Sequence, residues 1–165
     1  MKLQRLLDPI SVMTYDFHGG WGTCTGHNIF LHVGNKDGGD MCYCNCEYAM
    51  KPWRDSGVPS EKLIMGFPTY GRTFRLSTSD TSVCAYSLEQ VHLVLTQICI
   101  FLNKATNAWT EDQKVLYAYK NTEWFGYDNI ESYGYKDELP PHPQENLKYQ
   151  QVVHAQAPMK LLTLL

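Results

Sequence analysis

Two places in the chain deliver polar side chains directly from the end of an apolar run. Residues 10–19, Ile-Ser-Val-Met-Thr-Tyr-Asp-Phe-His-Gly, pass from Ile10, Val12 and Met13 to Tyr15 and Asp16 and then into a glycine turn. Residues 62–72, Lys-Leu-Ile-Met-Gly-Phe-Pro-Thr-Tyr-Gly-Arg, are closed by Gly66 and Pro68 and end on Tyr70 and Arg72. Where parallel strands form a barrel, chemistry sits at their carboxyl ends, so residues placed where the apolar pattern stops read as site rather than core. A phenol and a carboxylate, then a phenol and a guanidinium, form a hydrogen-bonding set. The blander readings are a buried tyrosine with a satisfied hydroxyl and an arginine in a solvated ion pair. His18 has no serine or cysteine nucleophile beside it, so no triad is suggested and a structural hydrogen bond orienting the loop is its simplest role.

The elements that must position these groups follow from the pattern around them. Residues 10–16 read as a strand, 17–40 as a loop rich in Gly and His, and Gly38-Gly39-Asp40 as a turn before a helix over 41–55. Pro52 falls inside that helix and predicts a kink or an end near Lys51, because proline removes a ladder hydrogen bond and clashes with the preceding turn. A strand is expected over 62–67 and another over 70–76. Ser87 followed by Gln90 has the form of a capping box and predicts a helix to about Lys104. Strands near 115–119 and 123–127 precede a last helix capped by Asn129.

Composition bounds the function classes. The chain of 165 residues is 44% hydrophobic and 19% charged, with a formal net charge of −3. That balance gives no basic bias towards nucleic acid or anionic membrane. The apolar stretch from Val91 to Leu102 is interrupted by His92, Thr96 and Gln97, and is too short for a span of about 20 apolar residues. Eleven tyrosines and four tryptophans are many for this length, and aromatic rings suit saccharides, whose C–H faces stack on them, although core packing is their commoner use. The amino terminus, Met1-Lys-Leu-Gln-Arg-Leu-Leu-Asp-Pro, carries charges where a signal peptide needs an apolar region and does not read as one. Cys42, Cys44 and Cys46 lie too close to bridge one another well, and their spacing does not suit zinc. They read instead as small hydrophobes, and no metal or cofactor is expected.

Met13-Thr-Tyr-Asp-Phe-His-Gly19 and Gly66-Phe-Pro-Thr-Tyr-Gly-Arg72, with Pro59-Ser-Glu-Lys-Leu-Ile64 and Trp124-Phe-Gly-Tyr-Asp-Asn-Ile130 around them, resemble glycoside hydrolase family 18, in the group of animal chitinases and chitinase-like lectins. The resemblance implies an α/β fold: an incomplete (β/α)8 TIM barrel, containing about strands six and seven, with a small inserted α+β domain. A whole barrel takes about 250 residues, more than this chain has. The implied divisions are 1–69, partial barrel; 70–128, insertion; and 129–165, a divergent C-terminal tail. The resemblance further implies substrate-binding roles for Met13, Tyr15, Asp16, Trp21, Tyr70 and Arg72. Tyr15 would bond the acetamido group at the cleavage point, Asp16 would contact the same or the next sugar, and Trp21 would stack on the leaving-group side.

Other family features have no match in the sequence. The Asp-x-x-Asp-x-Asp-x-Glu run that carries the family's general acid is missing, so no catalytic residue is assigned; closely spaced carboxylates are what hold a proton on that acid. The Gly-Gly-x-Met-x-Trp signature of the eighth strand has no counterpart, and the family's Gly- and Pro-rich loop that normally completes a hairpin is deleted between Ala85 and Tyr86, so a malformed lid is expected. Cys99 matches a family cysteine whose partner is missing, leaving a free thiol or a pairing with Cys84 or Cys24. The expected partners are chitin or N-acetylglucosamine oligomers, without nucleic acid or membrane, and the expected location is extracellular. Three readings stay open: a binder without hydrolysis, an active chitinase in a longer form or with an acid recruited from elsewhere such as Glu131, and a non-functional truncated product.

Overall fold

The computed structural model describes residues 9–91, 95–138 and 150–154. A short strand β1 (Ile10–Val12) is followed by a long loop, a 3₁₀ turn at Gly39–Tyr43 and helix α1 (Cys46–Asp55), and then by β2 (Leu63–Pro68). β1 and β2 are parallel, with Ile10 opposite Leu63 and Val12 opposite Met65. Parallel neighbours need a crossover, and α1 lies on it. Its start is fixed by Asn45, whose side chain accepts from Tyr48 N at 2.8 Å, satisfying a first-turn donor as an N-cap does. Phe30 O and Leu31 O accept from Cys46 N and Glu47 N at 3.0 and 3.2 Å. Cys46 and Met50, one turn apart, carry the buried face of α1 onto Ile10, Val12, Leu63, Met65 and Phe67.

A second sheet, antiparallel, departs from the end of β2. It contains β3 (Arg72–Leu76), β4 (Ser87–Val91), β5 (Thr106–Thr110), β6 (Val115–Lys120) and β7 (Glu123–Tyr127), in the order β4-β3-β7-β6-β5, with helix α2 (Leu95–Leu102) between β4 and β5. Successive side chains of a strand face opposite ways, and the two cores follow. Trp124 packs with Phe74, Leu76 and Ala85 on one face. Phe125 packs on the other with Leu116, Ala118, Tyr127 and Phe101 of α2. Helix α3 (Ile130–Asp137) then returns the chain to the first sheet, where β8 (Gln150–His154) runs parallel to β2. No helix among the described residues is long and apolar enough to cross a membrane.

Several expectations are corrected. The first strand ends at Val12, and the helix expected from residue 41 begins at Cys46. That helix runs through Pro52 to Asp55. Proline removes only one ladder bond, towards Tyr48 O, and both residues are exposed, while Pro52 O still accepts from Ser56 N at 3.1 Å. Ser87 and Gln90 do not cap a helix; they lie in β4, and Gln90 Oε1 accepts from Gly20 N at 2.6 Å. Cross-strand pairing with β3 outweighs the local capping signal, as tertiary context commonly does. Within the stretch expected to be helical to Lys104, α2 covers Leu95–Leu102 and residues 92–94 lie outside the described set. β5 was not anticipated.

With the loop between Ala85 and Tyr86 deleted, a β3–β4 hairpin still closes, Ser77 N donating to Tyr86 O at 3.0 Å. A third strand also joins the parallel sheet beside β2, because parallel pairing uses backbone groups that most sequences supply. The last segment thus contributes α3 and β8 to the parallel sheet, Tyr133 of α3 packing against its core. The Asn129 cap is as anticipated: its side chain accepts from Ser132 N at 2.9 Å, and Ser132 Oγ in turn accepts from Asn129 N at 3.0 Å.

Candidate functional site at the strand ends

The carboxyl ends of β1 and β2 lie side by side, joined by Thr14 Oγ1 donating to Gly66 O at 2.7 Å. Just beyond them Asp16 accepts from Tyr70 Oη at 2.8 Å and from Arg72 Nη2. Asp16 has φ 62, the left-handed region that costs a non-glycine residue about 1–2 kcal/mol, and such strain collects at functional sites. The turn in the backbone aims the carboxylate at two donors that come from the other run. Desolvation first, and the bond to Asp16 next, push the Tyr70 phenol well above the ordinary range. Tyr70 therefore stays a protonated donor across physiological pH.

Trp21 completes the group. Its ring is 69% exposed and lies under the Arg72 guanidinium, 5.6 Å from centroid to Cζ. The same guanidinium stands 5.6 Å from the Tyr70 ring, and Tyr15 meets Tyr70 edge-on at 6.4 Å. Trp21 folds back over Gly19, where a Cβ would come within 2.4 Å of the indole, and Gly22 N donates to Gly19 O at 3.1 Å. A glycine is required there by close approach.

Asn28 is the positioning residue that the sequence did not reveal. Buried at 2% exposure, it donates from Nδ2 to Tyr70 O at 3.1 Å and accepts at Oδ1 from Arg72 Nε at 3.3 Å. Its own carbonyl accepts from Phe17 N at 3.2 Å. One side chain thereby sets both donors that face Asp16. The available signal was a polar residue leading straight into the buried run Ile29-Phe30-Leu31.

The loop carrying these groups is held by two histidines. His18 Nδ1 donates to His27 O at 3.2 Å, which fixes the proton on Nδ1 because a carbonyl only accepts. Gly26 lies against that ring, a Cβ there meeting His18 Cδ2 at 2.1 Å. His27 Nε2 is 3.2 Å from Thr110 Oγ1 on the antiparallel sheet. Burial lowers the pKa of His18 and lowers that of His27 further, so both are neutral struts.

Five of the six expected site residues are thus brought together: Tyr15, Asp16, Trp21, Tyr70 and Arg72. Met13 stands apart, just past the end of β1, 63% exposed and outside the core that α1 covers. Glu131 lies exposed on the first turn of α3, where its charge faces Lys114 rather than this group. The close cysteines do not converge either: Cys42, Cys44 and Cys46 donate to the separate carbonyls of Asp37, Asp40 and Thr14. A cavity of about 320 Å³ lies elsewhere, between Lys36, Ser82, Trp109 and Gln113. The strand-end group is an open shelf of hydrogen-bonding and aromatic side chains, suited to an extended polar ligand with apolar faces.

A profile described as Glycosyl hydrolases family 18 matches residues 1–138. Oviduct-specific glycoprotein of Bos taurus is 43% identical over 147 residues, a match covering 81% of this chain and 26% of that protein. A structure of YKL-39 in the presence of the chitooligosaccharide GlcNAc4 superposes with a TM-score of 0.83 at 36% identity, covering 93% of this chain and 45% of that one. Human YKL-39, described as a pseudo-chitinase with retained chitooligosaccharide binding, superposes with a TM-score of 0.76 at 39% identity, covering 82% and 40%. The chain spans about a quarter of the length of the curated relative (26%).

Proposed function

This chain belongs to family 18 of the glycosyl hydrolases, and from that premise we propose that it is a chitinase-like segment that binds chitin or N-acetylglucosamine oligomers without hydrolysing them. The observation that carries this is the hydrogen-bonded set Asp16, Tyr70 and Arg72 with the exposed Trp21 ring against it. In this reading β1 and β2 are the sixth and seventh barrel strands, residues 1–69 and 70–128 are the barrel and insertion portions, and 129–165 the divergent end. The location is extracellular.

The geometry supports a physical role for each of these groups. Trp21 offers a ring to a sugar C–H face. Arg72 donates from one edge while its plane rests on that indole, and Tyr15 and Asp16 offer bonds to an acetamido group or ring hydroxyl. Each such direct bond nets about 0.5–1.5 kcal/mol. Hydrolysis needs a proton donor at the leaving oxygen, and the carboxylate of this group, Asp16, is already engaged as an acceptor by Tyr70 and Arg72, which supports binding over turnover. The pseudo-chitinase description of YKL-39 supports the same reading.

Amide hydrogen exchange with and without chitohexaose tests it. Binding should raise protection across residues 10–16 and 62–67, and Trp21→Ala should weaken affinity about tenfold, the loss of roughly 1–1.5 kcal/mol of stacking. Unchanged exchange with saturating sugar would sink the proposal, and release of shorter oligomers would replace it with an enzyme.

A further inference from the structure

The loop that carries Trp21 is stitched to the connection between β3 and β4. Cys24 forms an antiparallel bridge with Tyr86. Thr25 N donates to Ala85 O at 2.8 Å, Cys84 N donates to Thr25 O at 3.1 Å, and Ser87 N donates to Thr23 O at 3.0 Å. Thr25 Oγ1 adds a bond to Ser82 O at 3.3 Å. Within this seam Cys84 takes a left-handed backbone, φ 66. The Cys24 and Cys84 side chains are both half-buried, and Cys24 stands close enough to weigh on the Cys84 thiol.

We propose that Cys24 and Cys84 are a site of oxidative modification, a pair that closes to a disulfide and locks the Trp21 loop onto the antiparallel sheet. The backbone bonds hold the two positions together before any covalent bond forms, so closure needs little rearrangement. With a small-molecule disulfide as oxidant, for example oxidised glutathione, the Cys24 thiolate attacks one sulfur and a glutathione thiol leaves. The Cys84 thiolate then attacks the Cys24 sulfur of the mixed disulfide and the second glutathione leaves. Two protein thiols lose two electrons and two protons, and the glutathione disulfide gains them as two thiols.

Burial first, and Cys24 next, push the Cys84 thiol up to about 11. The closing step is therefore slow at neutral pH and quickens as pH rises, because the thiolate is the nucleophile. The remaining thiols provide internal controls. Cys46 is buried with its thiol pushed up to about 12, Cys42 and Cys44 donate to separate carbonyls, and Cys99 lies on α2.

The test equilibrates the folded full chain with oxidised and reduced glutathione, quenches with acid, blocks remaining thiols with N-ethylmaleimide and maps the peptides. The expected product is a Cys24–Cys84 cross-linked peptide, two hydrogens lighter than its reduced parts, with the other four cysteines blocked. Its formation should accelerate between pH 7 and 9, and amide exchange over residues 19–26 should slow once it forms. Blocked thiols at both positions in oxidising buffer would overturn the proposal. So would an equal yield from urea-unfolded chain, since the fold would then contribute nothing. Unchanged exchange over 19–26 in the cross-linked chain would overturn the locking role.

Discussion

The two sheets solve the burial problem differently. The antiparallel sheet has a core on each face, Trp124 anchoring one and Phe125 the other. In the parallel sheet every position of β2, which lies between β8 and β1, is buried, while β1 alternates buried and exposed positions and Met13 just beyond it is open. Among the described residues one region thus buries both of its faces, and the other leaves part of a face open at Met13. The candidate site lies on their seam: Asp16 comes from the parallel side, Arg72 opens the antiparallel one, and Tyr70 and Asn28 span the gap. A ligand shelf built this way depends on how well the two regions are held together.

The contrast is broken most severely at the joint between them. Asp128, just after β7, pairs with Lys136 of α3, at 4% and 0% side-chain exposure, and Lys136 also stands 5.6 Å from the Tyr133 ring. Removing one partner of a buried pair leaves an uncompensated charge, so Lys136→Met should cost about 3–5 kcal/mol in urea unfolding. Asp128→Leu added to it should recover a large part. A loss below about 1 kcal/mol for the single variant would mean water reaches the pair.

Acid acts next. His18 and His27 have folded pKa values below 6.5 because burial disfavours their charged forms. The unfolded chain then binds more protons, so the contribution of these groups is fully present above pH 6.5 and is lost as pH falls below it. The slope is at most about 1.4 kcal/mol per pH unit for each histidine. Melts from pH 7.5 to 4.5 should show this, and His27→Gln should flatten the curve; an unaltered slope in that variant would remove His27 from the account.

A smaller effect, on recognition rather than folding, is expected at Asn28→Ala. Arg72 and Tyr70 lose a shared anchor, and chitohexaose affinity measured by calorimetry should fall about three- to tenfold, the equivalent of one hydrogen bond. Smallest is Arg75→Gln on the exposed surface of β3, where the pair with Glu89 of β4 has 49% and 55% side-chain exposure. Less than about 1 kcal/mol should be lost.

What was legible in the sequence was local. Tyr15, Asp16, Tyr70 and Arg72 could be found because an apolar run and its glycine or proline stop are written within a few residues. The Asn129 cap was legible for the same reason. The Ser87 and Gln90 pattern misled because a cap and a strand use the same residue types, and only pairing with β3 decides between them. β5, Thr106-Asn-Ala-Trp-Thr, carries one large hydrophobe and little pattern; its partner β6 makes it a strand. Asn28 was hard to read because both of its side-chain bonds reach across the chain to residues 70 and 72.

The backbone at Asp16 carries a last consequence. Glycine would occupy φ 62 without penalty, so if durability of the fold were the sole requirement, aspartate would be a poor choice. Its side chain offsets that handicap only through Tyr70 and Arg72, the same groups a sugar would engage. Asp16→Gly should therefore give a chain of nearly unaltered thermal midpoint that has lost its ligand. Folding and recognition come apart at that position.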